Sequence, residues 1–130
     1  MENNELILTP SEWQLMECLW NRAPQSGRDA VEYMKTHVGW SRSTTLTLLS
    51  RMAEKQQIQC HEDGAVRTYS PLIAQEEAVL DQTRSFLERV YQGSLSLMLS
   101  AFTKKQPLSD REIEELQAIL DQAKSNREQG

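Results

Sequence analysis

Cysteine occurs only twice in 130 residues, at Cys18 and Cys60, too few for the disulfide framework of a small secreted domain. No apolar run approaches the roughly 20 residues needed to span a bilayer, so membrane insertion is not expected. The opening MENNELILTP lacks the basic and apolar regions of a secretory leader, and a cytoplasmic protein is expected. There is no Gly-rich phosphate loop, no nucleophile elbow and no His-Glu metalloprotease pattern. Glu112, Glu114 and Glu115 fall in the first turns of a predicted helix, where they complement its dipole rather than form a catalytic pair. Cys60 and His61 are adjacent on a predicted strand and point to opposite faces, with no second pair at a zinc spacing. Cys60 is expected in hairpin core and His61 in the turn. No enzyme, metal site or cofactor is expected.

What remains is an ordinary globular balance, 38% hydrophobic and 25% charged, in a chain long enough for one domain plus an appended element. The net charge of −5 speaks against nucleic acid only weakly, because phosphate binding needs a local basic face. Between Trp40 and Lys55 the cations Arg42, Arg51 and Lys55 meet a single acid, Glu54.

Thr9-Pro10-Ser11-Glu12 is a capping-box signal, and Trp13, Leu15, Met16, Leu19 and Trp20 follow it at helical spacing until Ala23-Pro24. Ser26 to Asp29 repeats the cap, and Ala30, Val31, Met34 and Val38 form the apolar face of a second helix closed by Gly39. A third helix spans Ser41 to about Lys55. Its buried stripe is Thr45, Leu48, Leu49 and Met52, at i, i+3, i+4 and i+7. The opposite face presents Arg42, Ser43, Leu46, Thr47, Ser50 and Arg51, with Thr44 at its edge. The period then changes to a hairpin, Ile58–Cys60 and Val66–Tyr69, about a turn at 61–64. From Ala74 the chain is rich in helix formers, and Ser109 to Glu112 caps a last helix carrying Ile113, Leu116, Ile119 and Leu120. The polar tail from Lys124 is expected to fray.

Three helices followed by a hairpin is the order of a winged helix, in which the third helix enters the major groove. The expected class is mainly α with a small β-hairpin: a winged helix-turn-helix domain over 1–72, then a helical dimerisation region over 73–130. Arginines and hydroxyls on the third helix can reach base edges or phosphates, and Leu46 can meet thymine methyls. Arg67 and Tyr69 on the hairpin can hold the flanking backbone. The apolar side chains after residue 73, among them Leu87, Val90, Tyr91, Leu95, Met98, Leu99 and Phe102, exceed what one small domain covers, which predicts a homodimer. The bland reading is a helical adaptor that binds protein and no DNA. Palindrome binding with a steep salt dependence separates the two.

With those residues in place, the chain resembles the penicillinase and methicillin-resistance repressor family. The resemblance rests on LTPSEWQLMECLW, GWSRSTTLTLLSRMAEKQQI, the hairpin end TYSPLI, and LSDREIEELQAIL. It implies a dimeric winged-helix repressor on a palindromic operator of double-stranded DNA, controlling antibiotic-resistance genes of β-lactamase type or related ones. It places Ser41, Arg42, Thr44, Thr47 and Arg51 on the DNA-facing helix, with Leu46 where relatives often carry a polar residue. Such repressors are commonly inactivated through a membrane sensor-protease system that triggers cleavage at an Asn-Phe bond. The matching stretch here is Ser100-Ala101-Phe102, which keeps the phenylalanine without the asparagine. The copper-responsive branch ends in a cysteine-rich motif, which this tail lacks.

Overall fold

The computed structural model describes residues 8–129, so the leader reading of the first residues lies outside it. The chain divides into two compact units, Met1–Ser85 and Phe86–Gly130. The first carries α1 (Pro10–Asn21), β1 (Gln25–Ser26), α2 (Gly27–His37), α3 (Arg42–Glu54), β2 (Ile58–His61) and β3 (Thr68–Pro71). Helix α4 (Gln75–Tyr91) begins in it, and the second unit continues with α5 (Leu95–Lys105) and α6 (Asp110–Gln129).

Each early helix starts where a side chain can satisfy its orphan amides. Thr9 Oγ1 accepts from Glu12 N at 3.1 Å while Glu12 Oε1 accepts from Thr9 N at 3.0 Å, the reciprocal box. Ser26 caps α2 through Asp29 N at 3.0 Å. Ser109 and Glu112 repeat the reciprocal arrangement at α6. The apolar faces so oriented meet in one core, where Leu15, Met16, Leu19, Met34, Leu49 and Met52 are fully buried. Removing each such side chain from water stabilises the fold by about 1.5–3 kcal/mol.

The hairpin is part of a three-stranded sheet in the order β1-β3-β2. Gln25 pairs with Tyr69 and Ser26 with Thr68 on one side of β3, while Cys60 and His61 take the same two partners on the other. The two-residue β1 is too short to show a period, and Ser26 doubles as the α2 cap. Gln25 is nevertheless buried, its Nε2 donating to Cys18 O at 2.7 Å and Arg22 O at 2.6 Å. The last strand lies two residues later than Val66–Tyr69, because Glu62 to Arg67 forms a longer loop in which Val66 is exposed. His61 closes β2 rather than sitting in the turn, its Nε2 2.7 Å from Ser70 Oγ on the neighbouring strand. Cys60 is partly buried against the core. Cys18 is fully buried, and burial pushes its thiol up to about 11, as befits a small hydrophobe.

The first unit extends past the expected boundary at residue 72. Ile73 and Ala78 are core residues, and Trp20 Nε1 donates to Ile73 O at 2.9 Å. Gln82 Nε2 donates to Leu8 O at 3.2 Å, so the opening turns of α4 belong to this unit. In the second unit α6 runs on to Gln129 where fraying was expected from Lys124. Gly93, at φ +80°, adopts the left-handed conformation that ends α4, its N–H bonded to Leu87 O at 2.8 Å. Among the described residues, α5 and α6 bury no side chain.

Candidate nucleic-acid interface

The turn between α2 and α3 is set by Gly39. At φ +89° it takes a conformation that other residues rarely adopt, and Gly39 and Trp40 both donate to Met34 O, at 2.8 and 3.3 Å. The chain leaves this turn extended at Ser41, whose hydroxyl accepts from Thr44 N at 3.2 Å and donates to Thr44 Oγ1 at 3.0 Å. Ser41 thus starts the helix and fixes the Thr44 rotamer.

Rotation of α3 is fixed by Thr45, Leu49 and Met52, all fully buried. Arg42, Ser43, Thr44, Thr47, Ser50 and Arg51 are consequently exposed. From Arg42 to Met52 the helix has no acidic residue, and among the described residues neither arginine has a carboxylate partner. Leu48, expected in the buried stripe, is only partly buried and lines an open groove of about 580 Å³ with Trp40, Thr47 and Arg51.

Two of the expected site residues are more buried than their spacing suggests. Leu46 is not left uncovered: it packs partly buried against the core, with Gly27 so near that a β-carbon there would lie 3.4 Å from a Leu46 methyl. Tyr69 is a core residue at 8% exposure, because the alternation of β3 turns its ring inward. Arg67 remains exposed on the loop between β2 and β3, with Glu62 3.7 Å away. The Tyr69 phenol, then Glu62, hold its guanidinium above the usual arginine range.

Of the residues expected at a dimer contact, Val90, Leu95, Phe102, Ile113 and Leu120 are exposed. Leu87, Tyr91, Met98, Leu99 and Leu116 are half-buried. Ala101 and Phe102 lie exposed within α5.

The spacing of residues does not show what Glu12 does beyond capping. Its carboxylate, on the first turn of α1, accepts from Lys55 Nζ at 2.5 Å and from Gln57 Nε2 at 3.3 Å. One side chain therefore joins the start of α1, the end of α3 and the entry to β2. Burial pushes this carboxyl up, but the hydrogen bond from Lys55, the Thr9 amide and the Lys55 charge outweigh it and hold it below its ordinary value. Forty-three residues separate the partners, so no local pattern could reveal the pair.

The sequence model of the penicillinase repressor family matches residues 8–122. The chain belongs to that family. Its members are transcriptional repressors, not enzymes. The chain is 28% identical over 120 residues to the methicillin resistance regulatory protein MecI of Staphylococcus aureus, covering 92% of this chain and 98% of that protein. It is also 28% identical over 122 residues to the penicillinase repressor of Bacillus licheniformis, covering 94% and 95%. Among solved structures, the DNA-binding domain of the repressor BlaI aligns with 54% of this chain and 85% of its own, at 23% identity and a TM-score of 0.49. No helix among the described residues of this family member is long and apolar enough to cross a membrane.

Because folding lowers the Glu12 carboxyl below its unfolded value, the unfolded chain binds the extra proton, and stability rises with pH through that interval. The contribution is complete above the unfolded value and is lost as pH falls below about 5 through the folded one. Urea unfolding at a series of pH values should show a smaller acid-induced loss for Glu12→Gln than for the wild type. Parallel pH profiles would assign that acid sensitivity to other groups.

Proposed function

We propose that the chain represses transcription in the cytoplasm as a homodimer, with the two copies of α3 seated in major grooves of a palindromic operator at antibiotic-resistance genes of β-lactamase type or related ones. The observation that carries this is the outward face of α3. It combines Arg42 and Arg51, without a carboxylate partner among the described residues, with the hydroxyls of Ser43, Thr44, Thr47 and Ser50, on a helix whose other face is fixed in the core. A helix fits the major groove, where guanidinium groups bond guanine O6 and N7 and hydroxyls take bases or phosphates. The named relatives support the class of target genes. Arg67 beside the groove serves the flanking backbone, whereas the buried Tyr69 braces the sheet beneath it.

A second copy is the occupant that suits the apolar residues of the C-terminal unit. Leu95, Phe102, Ile119 and Leu120 are each more than half exposed. Such surface is uncommon on a soluble monomer, and two-fold pairing buries it and places two reading helices about 10 base pairs apart or a multiple of that. Residues 73–130 then act as the dimerisation region, entered through the α4 turns that also complete the first core. Release from the operator follows from cutting the exposed Ala101–Phe102 bond through a membrane sensor-protease system. That bond lies within α5, so the helix must open locally before a protease can engage it.

Arg51→Ala should weaken operator binding by about 1–3 kcal/mol and leave random-sequence duplex nearly unaffected, as titration of both by anisotropy will show. An equal loss on the two duplexes would place Arg51 on phosphate alone. Introducing Leu95→Glu together with Leu120→Glu should convert the sedimenting dimer to a monomer with unchanged helix content; a variant that sediments like the wild type removes this face from the interface. Mass spectrometry of the chain from cells exposed to a β-lactam should find it divided after residue 101, and an intact chain in derepressed cells would exclude this route.

A further inference from the structure

Lys55 caps the C-terminal end of α3 one turn beyond Arg51, and positions four apart lie on one side of a helix. Both side chains border the groove that opens beside Trp40, Ser43 and Thr44. On spacing alone, Lys55 would extend the positive face of the reading helix toward the DNA backbone. Its ammonium is turned onto Glu12 instead, although its side chain stays 53% exposed. The asymmetry lies in the partner: the Glu12 side chain is only 6% exposed. A carboxylate removed from water to that degree depends on its cation, so moving Lys55 to a phosphate would strand it. Thr9 N and Gln57 Nε2 are its other donors, both uncharged.

We propose that Glu12 is a positioning residue for DNA binding, which withholds the charge of Lys55 from phosphate and so limits the sequence-independent part of the affinity. The inference rests on α3 being the DNA-reading helix. Phosphate attraction acts on every duplex alike, and each neutralised phosphate adds about 0.9 to the slope of log affinity against log salt. A cation tied to an internal carboxylate leaves that count. Arg42 and Arg51 then dominate the charge on the α3 face, and the time spent on non-operator DNA is shortened without change to the surface that reads bases.

The test compares four full-length proteins on a random-sequence duplex long enough for two half-sites: wild type, Lys55→Gln, Glu12→Gln, and the double variant. Glu12→Gln retains an oxygen for the Thr9 amide while removing the charge that holds Lys55. Its affinity should fall about 3.5-fold more than that of the wild type between 50 and 200 mM salt, which corresponds to one extra phosphate. Lys55→Gln alone should keep the wild-type slope, and the double variant should return to it. A shallower slope for Lys55→Gln, an unaltered slope for Glu12→Gln, or a double variant as steep as Glu12→Gln would each overturn the proposal. If Glu12→Gln does not fold, the Lys55→Gln comparison still decides: an equal slope supports withholding and a shallower one refutes it. A wild-type chain that binds no duplex fails differently, because it removes the reading of α3 and this inference with it.

Discussion

The polar face of α3 exists because its opposite face has nowhere else to go. Thr45, Leu49 and Met52 are shut into a core built with α1 and α2, and their complete burial sets the rotation of the helix about its axis. A helix free to roll would present an average surface. One held at three successive turns presents a single row, and that row is Arg42, Ser43, Thr47, Ser50 and Arg51. The left-handed turn at Gly39 and the Ser41 cap settle where α3 begins, and the left-handed Gln56, with the amides of Gln56 and Gln57 bonded to Ala53 O and Met52 O, settles where it ends. Rotation and both ends are therefore specified by different physics: burial for the first, capping and backbone conformation for the others.

The same arrangement explains how an acidic protein can belong to a family of DNA-binding repressors. Net charge is a sum over the molecule, whereas phosphate responds to cations within roughly a Debye length of it. Helix α3 itself carries a single acid, Glu54, and Glu12, buried against its end, is already neutralised by Lys55. Arg67 has Glu62 close by, and Arg22 has Asp29. These exposed pairs contribute little to stability. By contrast, among the described residues Arg42 and Arg51 on α3 have no carboxylate partner.

Most of the architecture was legible wherever the information is local. The capping signals at Thr9, Ser26 and Ser109 each mark an observed helix start, because a cap is a matter of three or four consecutive residues. The three helices and the hairpin were visible in their periods. What escaped was non-local. Strand β1 exists only because β3 lies beside Gln25 and Ser26. Leu46 fell on the outward side of an idealised wheel, yet its side chain is long enough to reach back over Gly27. The sequence alone puts Tyr69 beside Arg67 at the flanking backbone, because alternation does not say which face of a two-stranded ribbon is inward until a third strand and a helix choose one. Lys55 could be counted as a cation from its letter, but its partner is 43 residues away.

The boundary between the two units has the same origin. Composition changes at Ala74, where helix formers take over, but cooperative packing does not follow composition. Ile73, Ala78 and Gln82 are tied to α1 and to Leu8, so the first core is closed by a helix whose far end belongs to the next unit. A boundary drawn where composition changes therefore cuts off the opening turns of α4, which the burial of Ile73 and Ala78 places in the first unit.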